Sequence, residues 1–76
     1  MPRGAVHRVA FSGFKVRRLR TARDLTAADV ARVACIPFTR YLSIESGVTE
    51  PQFSEGIAIA RAIGVAGRDI TSGARS

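Results

Sequence analysis

Apolar residues recur at helical spacing from Val16 to Ile70, and the breaks between the runs divide the chain into short segments. Val16, Leu19 and Ala22 share one face of a first helix that Ser12 caps and that runs to about Arg23, with Arg17 and Arg18 pointing outward. Thr26 and Asp29 have capping-box spacing, and Asp29 also suits the positive end of a helix dipole. The helix they open is expected to bury Val30, Val33 and Ala34, and small Ala31 lets a neighbouring helix approach. The chain turns at Cys35. Pro37 suits the first turn of a third helix, where its missing N–H would have no partner. Gly47 can take the left-handed conformation that ends this helix after Ser46. Val48 to Gln52, with Pro51, reads as a loop. Phe53, Ile57, Ala60 and Ile63 form the stripe of a fourth helix that Gly64 stops. Gly56 within it costs about 1 kcal/mol relative to alanine, so this helix relies on packing. Asp69 and Ile70 close a short fifth helix, with Ile70 folding back on the core. Residues 1–11 read as a basic arm, 12–70 as the folded domain and 71–76 as a flexible tail. In the arm, Val6, Val9 and Phe11 flank His7 and Arg8 and can pair as an extended edge or stay loose.

The second and third helices carry the most information. Val30, Ala34, Ile36, Tyr41 and Ile44 bury one face shared by two short helices across a tight turn, which leaves the outer side of the third helix exposed. This is how a helix-turn-helix presents a recognition helix to the major groove of DNA. The predicted fold is therefore all-α, a compact domain of about five short helices with a central helix-turn-helix. Phe38, Thr39, Arg40 and Ser43 fall on the exposed face. Thr39 can donate to a base edge or touch a thymine methyl, and Arg40 can reach a phosphate or a guanine. Phe38 can read only shape or thymine methyls, or else it contacts a protein or its own arm. Tyr41 belongs to the core, with its hydroxyl expected near the surface. Leu42 is an exposed leucine and points to a protein contact or a turned helix.

Charge strengthens the nucleic-acid reading. The 76 residues carry a net charge of +6. Residues 1–23 contain Arg3, Arg8, Lys15, Arg17, Arg18, Arg20 and Arg23 and no acidic residue. Arginine forks match phosphate and the guanine edge, so a small basic domain is an electrostatic candidate for nucleic acid. The bland alternative is a solvated, solubilising surface. There is no apolar run of membrane-spanning length and no signal-like segment. One cysteine cannot form an internal disulfide or a multi-cysteine zinc site, so Cys35 reads as a buried structural thiol in a reducing cytoplasm. No cofactor or metal is expected. The single histidine, a lack of paired carboxylates at useful spacing and the absence of a phosphate-cradling glycine loop argue against an enzyme. The aromatic residues Phe11, Phe14, Phe38, Phe53 and Tyr41 are scattered and mostly assigned to the core, which does not favour single-stranded RNA.

With these pieces in place, the chain resembles the Cro/repressor-type (Xre-like) helix-turn-helix family of phage and bacterial regulators, whose fold is lambda-repressor-like. The matching pieces are Val16-Arg17-Arg18-Leu19-Arg20, Leu25-Thr26, Val30-Ala31, Ile44-Glu45-Ser46-Gly47, Pro51, Ala60-Arg61-Ala62-Ile63-Gly64-Val65 and Asp69-Ile70, in family order without a gap over about residues 11–70. The resemblance implies transcriptional regulation, usually by a homodimer on a palindromic operator. It implies that Phe38 and Thr39 lie where relatives place base-reading side chains. It also implies that Arg20 and Glu45 form a partly buried structural ion pair. Three residues depart from the pattern. Ala27 stands where the family often has a phosphate-binding glutamine, Glu50 lies in a loop that is often basic and would repel phosphate, and Cys35 replaces the usual turn glycine at a cost on the order of 1 kcal/mol.

The leading expectation is a sequence-specific double-stranded DNA-binding regulator, cytoplasmic and associated with the nucleoid, acting as a homodimer with residues 37–46 in the major groove and with Lys15, Arg17, Arg18, Thr26, Ser46, Arg3 and Arg8 as the candidates for backbone contacts. The dimer interface is expected around Ile63 to Ile70, with Val65 and Ile70 half-buried. The alternative is a degenerate helix-turn-helix acting as an antitoxin-like or regulator-binding protein module, with weak nonspecific DNA binding, whose partner meets Phe38, Leu42 and Val48.

Overall fold

The computed structural model describes residues 9–73. Four α-helices follow one another: α1 (Gly13–Ala22), α2 (Ala27–Ala34), α3 (Phe38–Ser46) and α4 (Phe53–Ile63). A 3-10 turn, Gly67–Ile70, completes the helical set. Two three-residue strands, β1 (Val9–Phe11) and β2 (Thr71–Gly73), pair antiparallel, with Phe11 opposite Thr71. This pairing corrects the reading of residues 71–73 as tail and gives the extended alternative to Val9–Phe11. The pairing is anchored from α1, where the Ser12 N–H donates to the Ile70 carbonyl at 2.8 Å and the Lys15 ammonium donates to the Thr71 carbonyl at 2.8 Å.

Local chemistry explains most of the helix boundaries. The Ser12 hydroxyl accepts the Lys15 N–H and starts α1. Thr26 and Asp29 satisfy each other's backbone N–H groups at 3.0 Å in both directions and start α2. Cys35 ends α2 in the left-handed region at φ 59°, and the Ile36 N–H returns to the Ala31 carbonyl as in a Schellman motif. Gly47 repeats this device after α3, with the Val48 N–H on the Ser43 carbonyl. Asp24, between α1 and α2, also has positive φ, which aspartate tolerates better than most residues.

The core is Val16, Val30, Ala31, Ala34, Ile36, Tyr41, Ile44, Ile59, Ala60, Ile63 and Ile70. It sits where α2 packs on α4 and on α3, with α1 across α3. Several expectations are corrected. Helix α2 buries Ala27 in part, then Val30, Ala31 and Ala34, while Val33 is exposed. Helix α4 buries Ile59, Ala60 and Ile63, which turns Phe53 and Ile57 outward. Both helices offered two stripes about one residue apart, and the tertiary partner selected between them. Ala22 is exposed on α1, Cys35 is an exposed thiol rather than a buried one, and Ile70 is fully buried. Of the phenylalanines, Phe14, Phe38 and Phe53 lie outside the core. The α1–α3 crossing depends on Gly13, because a Cβ there would lie 2.1 Å from the Glu45 carbonyl oxygen.

Candidate nucleic-acid interface

Helix α3 begins without a side-chain cap; Pro37 supplies only its carbonyl, which accepts the Tyr41 N–H at 2.9 Å. Its inward face is set by Tyr41 and Ile44, both buried. The other positions of its first turns, Phe38, Thr39 and Leu42, are exposed, Arg40 is partly exposed and Ser43 is half-buried. The Ser43 carbonyl is taken up by the Val48 and Thr49 N–H groups and the Ser46 hydroxyl.

Two arginine–glutamate forks fix this helix. Near its C-terminal end, Arg20 donates from Nε to Glu45 Oε2 at 2.9 Å and from Nη2 to Oε1 at 2.8 Å. Its Nη1 donates to the Leu25 carbonyl at 3.0 Å, so one guanidinium ties α1, the α1–α2 connection and α3 together. Tyr41 adds its hydroxyl to Glu45 Oε2 at 2.6 Å, which places that hydroxyl inside rather than near the surface. Burial pushes the Glu45 carboxyl up, but hydrogen bonds from Arg20 and Tyr41 outweigh it and hold Glu45 below the ordinary carboxylate range. Burial, followed by the Glu45 carboxylate, raises the Tyr41 phenol.

At the other end, Arg40 donates from Nε to Glu55 Oε2 at 2.7 Å and from Nη2 to Oε1 at 2.8 Å. Glu55 lies in the first turn of α4, and its Oε1 also accepts the Gln52 N–H at 2.7 Å. The Arg40 hydrogen bonds, then the Gln52 N–H, lower the Glu55 carboxyl to about 2. Arg40 is legible in the sequence as a candidate and Glu55 is not. The Gln52-x-x-Glu55 spacing signals a helix cap, but the contact to Arg40 exists only once α4 is placed against α3.

The other candidates are distributed around this helix. Arg17 meets α3 across a shallow cleft lined with Leu42, Ser43, Glu45 and Ser46. Arg18 is exposed, with its guanidinium carbon 5.8 Å from the centre of the Phe14 ring. Lys15 donates one of its three ammonium protons to the Thr71 carbonyl at 2.8 Å. Thr26 is exposed at the start of α2, where Asp29, itself bridged to Arg32 at 3.1 Å, adds a negative charge. Hydrogen bonds from Thr26 hold Asp29 below its ordinary range. Arg3, His7 and Arg8 lie outside the described residues. Among the described residues, no group of histidine, cysteine or carboxylates is placed to hold a metal. No helix among them is long and apolar enough to cross a membrane.

Comparison with known proteins agrees with this geometry. The helix-turn-helix family HTH_3 matches residues 16–70, from within α1 through the 3-10 turn. No curated protein matches the chain in sequence. A similar solved structure is the high-resolution crystal structure of the restriction-modification controller protein C.AhdI from Aeromonas hydrophila, with a TM-score of 0.74 and 22% identity, covering 76% of this chain and 88% of that one. At that identity the likeness is one of fold. The family match takes in more than half the chain and includes both helices of the turn; the chain belongs to the helix-turn-helix family of DNA-binding transcriptional regulators and is not an enzyme.

Proposed function

We propose that the protein is a Cro/repressor-like regulator that recognises a specific double-stranded sequence by laying α3 in the major groove, as a homodimer on a palindromic site. The observation that carries this reading is the first turn of α3, with Phe38 and Thr39 exposed and Arg40 partly exposed beside them, on a helix whose opposite face is buried through Tyr41 and Ile44. Thr39 and Arg40 supply hydrogen bonds to base edges, Phe38 an apolar contact to thymine methyls, and Ser43 a hydroxyl one turn on. Arg17 and Arg18 on the exposed side of α1 supply phosphate contacts, joined by Lys15, Thr26, Ser46 and the arm residues Arg3 and Arg8. Replacing Thr39 and Arg40 together by alanine is expected to weaken binding to the selected site by about 2–4 kcal/mol with the fold intact by circular dichroism. Unchanged affinity would remove α3 from the interface.

A second reading draws on the apolar character of the same surface. Phe38, Leu42 and Val48 are all exposed, and a protein partner would bury them. Serine at Phe38 and Leu42 separates the two: loss of a protein partner with DNA affinity retained favours the interaction module.

A further inference from the structure

The Arg40–Glu55 fork has a directional consequence. A guanidinium carries five N–H donors and two edges able to bind in a bidentate manner. Glu55 occupies the edge made by Nε and Nη2. The end-on edge, made by Nη1 and the second Nη2 proton, remains for another acceptor pair. Glu55 is itself held, because its Oε1 also accepts the Gln52 N–H at the start of α4. Arg40 therefore stands against a carboxylate that is itself held, next in sequence to the exposed Thr39, with one fork already used.

We propose that Glu55 is a positioning residue that makes Arg40 a guanine reader rather than a phosphate anchor. The inference rests on the proposed placement of α3 in the major groove. Two features of the pair support it. The carboxylate offsets the charge of Arg40, which weakens the sequence-independent pull toward phosphate. The edge left open matches the O6 and N7 acceptors of guanine, which the guanidinium can meet without leaving Glu55. A residue of α4, outside the turn motif, thus sets specificity through a contact it does not make with DNA itself.

The test measures affinity for the site selected from genomic DNA, for the same site with each guanine replaced, and for a scrambled duplex, across a salt series. Glu55→Gln keeps the side-chain shape but removes the charge. It is expected to raise scrambled-duplex affinity several-fold at low salt and to steepen the salt dependence by about one counterion. The preference for the selected site should fall about tenfold, the scale of one bidentate base contact. Arg40→Lys keeps the charge and loses the fork, so it is expected to lose discrimination at one guanine even if Glu55→Gln proves poorly folded. An unchanged preference and salt slope in folded Glu55→Gln, with Arg40→Ala still costly, would overturn the role of Glu55 and leave the placement of α3 standing. A uniform loss across all duplexes in Arg40→Ala would make Arg40 a phosphate contact and also overturn the proposal. If Arg40→Ala and Thr39→Ala both leave affinity unchanged, the placement of α3 fails and the inference fails with it.

Discussion

The two ends of α3 are held by the same chemistry in different surroundings. Both use a glutamate accepting two hydrogen bonds from an arginine, but Arg20 and Glu45 keep only 12% and 9% of their side-chain exposure, against 36% and 17% for Arg40 and Glu55. Burial changes what the pair does. Around Glu45, every charge already out of water depends on its partners, and the cluster includes the Tyr41 hydroxyl and the Leu25 carbonyl. Removing one member strands the rest. Around Glu55, water can replace a lost partner, so the pair adds little to stability and mainly sets where Arg40 stands. The same helix is clamped by a buried pair at one end and held by a water-accessible pair at the other.

The largest effect should come from breaking the clamp. Glu45→Ala leaves Arg20 without its carboxylate and Tyr41 without its acceptor, and it is expected to cost about 3 kcal/mol in denaturant unfolding. A domain of this size has little stability to spare. Glu55→Ala should fall far short of that cost in the same experiment. Equal losses at the two sites would erase the distinction drawn from burial.

A smaller loss is expected at the α1–α3 crossing beside the clamp. Gly13→Ala forces its methyl group against the Glu45 carbonyl oxygen, which sits 2.1 Å from the ideal Cβ position. Relief requires the helices to separate, at a cost of about 1–3 kcal/mol. Thermal unfolding would show it, and a variant as stable as the parent would mean that the crossing tolerates a side chain.

The outer pair can be isolated by acid. Glu55 titrates at about 2 in the folded protein against an ordinary value of 4.5. A depressed carboxyl contributes stability that is complete above the unfolded value and is lost as pH falls through the folded one. The native protein should therefore exceed Glu55→Gln in stability by a constant margin near neutrality, and the margin should shrink between pH 4.5 and about 2. Denaturation midpoints across that range would reveal a pH-independent margin if the pair were irrelevant.

The comparison also explains what could be read from residues alone. Contacts within one turn were legible: Ser12 and Thr26 at helix starts, Gly47 and Gly64 at helix ends, and the spacing that puts Val16, Val30, Tyr41 and Ile44 inward. Arg20 and Glu45 were reached only through the family resemblance, since 25 positions separate them. Glu55 lay beyond both routes, because its cap signal is local and its contact with Arg40 is not. Choices between adjacent helical stripes failed for the same reason. Val33 and Phe53 satisfy the helical period as well as Ala31 and Ile59 do, and only the packing of α2 on α4 decides between them. The pairing of β2 with β1 likewise depends on anchors from α1 that local pattern does not display.

Reading of a particular DNA sequence by α3 is open to a single experiment. Its most direct test is selection of sheared DNA from the source genome by the purified protein, at low and near-physiological salt, followed by sequencing. One enriched palindromic motif should persist at the higher salt. Motif-free enrichment that collapses with salt would reduce the interaction to backbone attraction and rule out sequence reading by α3.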